Sequence, residues 1–201
     1  MDWSDENLIE VLRKGGIAVM PTDTIYGIVG RALDKNAVER IYKIRKRAPE
    51  KPCIVLIGEI SVLLKFGINL TKAEEKTIEE CNEPTSFIVD CPDEKFSYLH
   101  RGTQTLAVRL PAPQQLRNLL VLTGPLIAPS ANPEGLPPAR NIEEAKVYFG
   151  DLVDPVRGRE SSQRPSTSNG VDLYVDGGEL AGKPSKLIRL HSDGTATVLR
   201  I

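Results

Sequence analysis

The sequence predicts an α/β (α+β) protein, a mixed β-sheet covered by helices, in a single domain spanning residues 1–201. Three observations carry that expectation. Apolar runs of strand length and helical periods intermingle without strict βα alternation, which argues against a regular doubly wound sheet. A chain of 201 residues with 40% hydrophobic and 26% charged content can bury a substantial core without staples. No repeat and no linker-like shift in composition divides it.

In chain order, a helix is expected over 5–14, then strands at 17–20 and 25–29, two apolar runs separated by the turn-forming Pro21-Thr22-Asp23-Thr24. A helix over 35–46 follows, with Val38, Ile41 and Tyr42 on its buried stripe and Ala48-Pro49 as its stop. Cys53 to Ile57 is the next strand, and Thr71-x-x-Glu74 is a capping box that opens a helix over 71–81. Strands at 86–90 and 105–110, a helix over 113–121, a strand at 125–128 and a helix over 141–149 continue the mixed pattern. Strands at 171–175, 186–190 and 196–200 close it. Arg159 to Gly170 holds five Ser or Thr residues and little apolar content, and reads as a mobile surface loop.

Composition narrows the function. A net charge of −1 argues against general coating of nucleic acid. Cys53, Cys81 and Cys91 are odd in number and lack Cys-x-x-Cys spacing, so they read as reduced thiols, with neither a disulfide framework nor a zinc site. The acidic Met-Asp-Trp-Ser-Asp-Glu start has no apolar signal region, and no apolar run reaches about 18 residues, so a cytoplasmic protein with no membrane association is expected. His100 and His191 are too few and too far apart for a histidine triad or metal cluster.

Three polar segments concentrate chemistry. Thr22, Asp23 and Thr24 beside Tyr26 supply more polar capacity than a plain hairpin turn needs, although an ordinary turn is the competing reading. Residues 40–51 carry six cationic side chains against one anionic, a focused positive patch; Arg45 and Arg47 cannot both lie on the buried helical stripe. A solvated helix end, favoured by the macrodipole, would explain the same charges. In Pro125 to Arg140, four prolines within ten residues brace a loop that presents Ser130 and Asn132. Either residue alone could equally cap a turn.

Together these segments resemble the YrdC-like family of L-threonylcarbamoyladenylate synthases over most of the chain. Pro21-Thr-Asp-Thr-Ile-Tyr-Gly-Ile28 is similar to the family's opening motif, with Ile28 in place of leucine. Arg45-Lys46-Arg47 with Lys51-Pro52 resembles its Lys-x-Arg signature, Ser130-Ala131-Asn132 its Ser-x-Asn signature, Ala107-Val108-Arg109 its Ala-Val-Arg strand, and Gly182-Lys-Pro-Ser-Lys-Leu187 its Gly-x-Pro-Ser-Thr ending. The sequence departs from the family at Arg45, where lysine is usual, at Lys186, where threonine is expected, and at Glu83-Pro84-Thr85-Ser86, a reduced Gly-Pro-x-Thr entry. By the resemblance these departures touch nucleotide contacts.

The resemblance implies the same fold, a three-layer twisted mixed sheet flanked by helices. It also implies an enzyme that joins L-threonine, bicarbonate or CO2, and ATP into threonylcarbamoyl-AMP with release of pyrophosphate, for threonylcarbamoyladenosine modification of tRNA. ATP is then a substrate, magnesium its expected companion, and no tightly bound cofactor is required. The chain has no Gly-x-x-x-x-Gly-Lys-Ser/Thr loop, so phosphates fall to cationic side chains and hydroxyls. The implied assignments are Arg47 and Asn132 as catalytic residues, Thr24, Tyr26, Arg45 and Lys51 for threonine and its charges, and Ser130, Asn132, Arg109 and Ser185 on the nucleotide side. No protein metal ligand is assigned. tRNA and the proteins that would transfer the threonylcarbamoyl group are further candidate partners. Two other classes remain: a YciO-like nucleotide-binding paralogue, and a non-catalytic double-stranded RNA or tRNA-binding protein, which low aromatic content disfavours.

Overall fold

Ile17 to Met20 and Ile28 to Val29 are wholly buried, and their side chains alternate between two apolar clusters on opposite sides of one sheet. Ile17, Val19 and Ile28 belong to one cluster, Ala18, Met20 and Val29 to the other. A strand covered on both faces needs an unbroken apolar run, which is why these segments were legible in sequence. The computed structural model describes residues 2–150 and 170–201; most of the polar loop expected at 159–170 lies outside them.

The chain runs α1 (Glu6–Arg13), β1 (Ala18–Pro21), β2 (Tyr26–Arg31), α2 (Lys35–Arg45), β3 (Ile54–Leu56), α3 (Lys72–Glu79), β4 (Thr85–Asp90), α4 (Ser97–His100), β5 (Thr105–Arg109), α5 (Gln114–Thr123), β6 (Leu126–Ile127), α6 (Ile142–Phe149), β7 (Leu173–Tyr174), β8 (Lys186–Leu190) and β9 (Ala196–Arg200). The nine strands form one sheet in the order β7-β1-β2-β6-β3-β5-β4-β8-β9. The pairs β1/β7, β3/β5 and β4/β8 are parallel and the others antiparallel, so the sheet is mixed as expected. Leu8 and Leu12 of α1 and Leu116, Leu119 and Leu120 of α5 cover one face, while Val38 and Ile41 of α2, Ile78 of α3, Leu99 of α4 and Ala145 of α6 cover the other. That gives three layers.

Two pieces escaped the sequence reading: a 3-10 helix at Ile60–Phe66, and a 3-10 turn at Glu94–Phe96 that leads into α4. Both are too short to set up a helical period, and they are held by buried Leu63, Phe66, Phe96 and Leu99 rather than by intrinsic propensity. The Thr71–Glu74 capping box forms as expected.

Two local features position the site. Lys46 follows α2 in a left-handed conformation at φ 51°, which turns the chain so that Arg45 stays on the buried helical face and Arg47 leaves the helix. The connection from β7 to β8, residues 175–185, joins strands at positions one and eight in the order of the sheet. Among the described residues, no helix is long and apolar enough to cross a membrane.

Candidate active site

On the sheet face that carries Met20, Val29 and Leu56, the pleat also presents Ile54, Ala107, Ile88 and Leu187 of β3, β5, β4 and β8. Those four floor a cavity of about 420 Å³. The β1–β2 turn forms one wall. Thr22 Oγ1 donates to the Ile25 carbonyl (2.7 Å) and lies 3.2 Å from Thr24 Oγ1, and both threonines line the cavity. Asp23 between them pairs with Arg109 at 2.9 Å, both side chains buried.

The Ser130 loop is sewn to β2. Ile28 N–H donates to the Pro129 carbonyl and Ala131 N–H to the Tyr26 carbonyl, which brings Ser130 beside Gly27. A Cβ on Gly27 would meet Thr22 Cγ2 at 3.1 Å, so glycine suits this close approach. Arg45, buried although charged, braces the loop from α2. Its Nε donates to the Asn132 carbonyl (2.8 Å) and Nη2 to Ser130 Oγ (3.3 Å), while buried Nη1 has no partner among the described residues. Burial, and secondarily the charge of Arg47, pull the Arg45 guanidinium down to about 10, so it remains a cation at neutral pH. Arg47 bridges two carbonyls, Nε to Lys51 (3.0 Å) and Nη2 to Pro52 (2.8 Å), and stands at the cavity edge.

The far wall comes from Ser185, whose Oγ lies 2.9 Å from Ser86 Oγ, and from Arg200, which donates through Nη2 to the Ser185 carbonyl (2.9 Å). Burial lowers the Arg109 pKa from its ordinary value, opposed by Asp23 and reinforced by Arg200. Among the described residues, four arginines, 45, 47, 109 and 200, thus line the cavity and no carboxylate does. An apolar floor with cationic and hydroxyl walls suits a ligand that has a flat or aliphatic part and several anionic oxygens.

Of the residues singled out in the sequence, Thr24, Tyr26, Arg45, Arg47, Arg109, Ser130 and Ser185 come together on this cavity. Two do not line it. Lys51 forms an ion pair with Glu134, which also accepts from the Ala48 N–H. Asn132 is committed to its own loop: Oδ1 accepts from Arg45, and Nδ2 donates to the Pro133 (2.9 Å) and Leu136 (2.7 Å) carbonyls. Tyr26 borders the cavity, but its side chain packs in the cluster on the opposite face and its hydroxyl is not free for threonine: it accepts from Gly177 N–H and donates to the Gly178 carbonyl, both at 2.8 Å. Burial raises the Tyr26 pKa, so the phenol keeps that proton.

The expectation that Lys186 alters a nucleotide contact is corrected. Ser185 and Leu187 face the cavity, so the pleat turns Lys186 to the opposite side, where it pairs with Glu83. Arg200, Thr103 and Thr105 were missed; a register irregularity between Leu187 and Ile188 sets Arg200 opposite Leu187, which the alternation of β9 does not foretell. Among the described residues, no group of three His, Cys, Asp or Glu side chains is placed to hold a metal ion.

Residues 10–168 match the model of the Sua5/YciO/YrdC family, whose description reads "Telomere recombination". The chain belongs to this family. A threonylcarbamoyl-AMP synthase of Pseudomonas paraeruginosa is 31% identical over 166 residues, covering 82% of this chain and 90% of that one. One from Stutzerimonas stutzeri is 26% identical, covering 77% and 84%. Among solved structures of the Sua5/YciO/YrdC family, Pyrococcus abyssi Sua5 complexed with L-threonine superposes with a TM-score of 0.77 at 26% identity over 96% of this chain, which spans about half (52%) of that protein. E. coli YciO gives 0.67 at 27% identity, covering 96% of this chain and 85% of the other.

Proposed function

We propose that this chain is a threonylcarbamoyl-AMP synthase, which forms threonylcarbamoyl-AMP and pyrophosphate from L-threonine, bicarbonate or CO2, and ATP. The observation that carries the reading is the cavity with four arginines, an apolar floor and, among the described residues, no carboxylate. It is supported by relatives that bear this name at 77–82% coverage of the chain and by the threonine-bound Sua5 neighbour.

In this reading the uncharged threonine amine attacks CO2 and releases a proton to solvent, giving a carbamate. A carbamate oxygen then attacks the α-phosphorus of ATP, and the bond to the bridging oxygen breaks as pyrophosphate leaves. The protein's task is to align two anionic reactants and offset the charge gathering on phosphoryl oxygens. Arg45, with an unpartnered buried donor, and Arg47 are the cations we assign to the carbamate and phosphates. Arg109 and Ser185 face the same reactants from the opposite wall, and Thr24 and Ser130 supply hydroxyls. Asn132 serves by fixing Arg45 and the Ser130 loop, and Lys51 by tying the Arg47 segment to Glu134. Among the described residues no carboxylate lines the cavity, so no protein-held magnesium site is assigned and no step is routed through magnesium. The product would pass to tRNA through threonylcarbamoyl-transfer proteins.

Calorimetric titration of ATP with and without threonine and bicarbonate, paired with pyrophosphate release, tests the reading. Tighter ATP binding in their presence, with threonine-dependent release, is expected. Equal ATP affinity without threonine-dependent release would point to a YciO-like activity instead.

A further inference from the structure

The segment between β7 and β8 is mostly exposed and has no regular structure, yet it ends in two cavity residues, Pro184 and Ser185. A strap with few contacts of its own is held where it is pinned.

Three pins hold it. The Tyr26 hydroxyl clasps two successive residues, accepting from Gly177 N–H and donating to the Gly178 carbonyl, and so uses its only proton. Leu180 N–H donates to the Arg140 carbonyl at 2.7 Å. Gly182 lies so close to the β1–β2 turn that a Cβ there would fall 1.9 Å from the Thr24 carbonyl oxygen. Beyond this last pin the strap delivers Ser185 to Ser86 and to the Arg200 guanidinium.

We infer that Tyr26 is a positioning residue: its hydroxyl buckles the 175–185 strap across the β1–β2 turn and thereby sets the wall formed by Pro184 and Ser185. The inference rests on the proposed synthase reading for its kinetic consequences only. An unbuckled strap lowers the fraction of molecules with the wall in place, and apparent affinity falls by that fraction while the saturated complex keeps its geometry.

Amide hydrogen exchange of ligand-free wild type and Tyr26→Phe, which keeps the ring and deletes the hydroxyl, is the direct test. Exchange across 176–185 should rise about five- to tenfold, with peptides of β1 and β2 unchanged. The KM for threonine and ATP should rise by a similar factor while kcat stays within about twofold. Gly182→Ala, which pushes the strap from its other pin with Tyr26 intact, should give the same pattern. Wild-type exchange at 176–185 in Tyr26→Phe overturns the inference, as does a collapse of kcat at unchanged KM, which would put the hydroxyl at the reacting centre. Absence of threonine-dependent turnover in the wild type would count against the synthase reading, and the exchange measurement would still decide the buckle.

Discussion

Asp23 and Arg109 meet at 2.9 Å with both side chains buried, and they join the tip of the β1–β2 turn to the end of β5 across the cavity. Among the described residues, Arg109 is the one charge that balances the buried Asp23 carboxylate. Removing one partner strands the other. Asp23→Ala should therefore cost about 3–5 kcal/mol of stability by denaturant unfolding, whereas an Asp23→Ala/Arg109→Met double variant should recover part of the loss.

Arg47 holds the Lys51 and Pro52 carbonyls as well as standing at the cavity edge. Arg47→Ala is expected to lower turnover strongly while costing no more than about 1–2 kcal/mol in unfolding, because those carbonyls lie close to water. Arg47→Lys should rescue little, since one ammonium cannot reproduce the forked contact. Unchanged pyrophosphate release in Arg47→Ala would make it a loop brace alone.

Asn132 gives a different signature. Asn132→Ala removes bonds to Arg45 and to two carbonyls, and should cost about 1–3 kcal/mol together with a loss of both ATP affinity and turnover. Asn132→Asp should be worse, because it places carboxylate oxygens against the same carbonyls. Full turnover in Asn132→Ala would release the loop from any role in the site.

The Glu134 carboxyl sits below its ordinary value of 4.5, chiefly through Lys51 and then the Ala48 N–H. A lowered folded-state pKa contributes stability that is fully present above 4.5 and is lost as pH falls through the folded value. Acid should thus loosen the segment 47–52 before the sheet unfolds, and Glu134→Gln should remove that step from a pH titration of local hydrogen exchange.

Lys186→Thr, which restores the residue expected from the family motif, should leave ATP and threonine affinity unchanged, because Lys186 pairs with Glu83 on the side away from the cavity. A measurable gain in affinity would mean that the strand presents this position to the ligand.

Much of this was readable from the chain because burial on both faces forces apolar runs, and the runs Ile17–Met20, Ile25–Val29 and Cys53–Ile57 hold no charged residue to blur them. Ser130, Arg45 and Arg47 were legible as polar groups placed where turns and helix ends must be. What sequence could not convey is how each polar group is satisfied. Tyr26 and Asn132 carry the right atoms for a ligand, yet packing against Gly177 and Leu136, far along the chain or hidden in a turn, engages them first. Arg200 was overlooked for the opposite reason: a lone arginine at the end of an exposed strand looks like solvated charge until β8 and β9 pair beside Ser185.

The cavity draws its walls from Thr22 near one end of the chain and Arg200 near the other. No contiguous stretch can therefore assemble it, and the strands at its far side pair in parallel through β4 and β8, a contact with about a hundred residues between partners. Loop closure of that length must precede any reward from the contact. During synthesis, the early strands and helices can collapse while the binding surface is still missing a wall. Competence to take substrate is then among the last properties the folding chain acquires, and a bound nucleotide would report that the final pairing has been made.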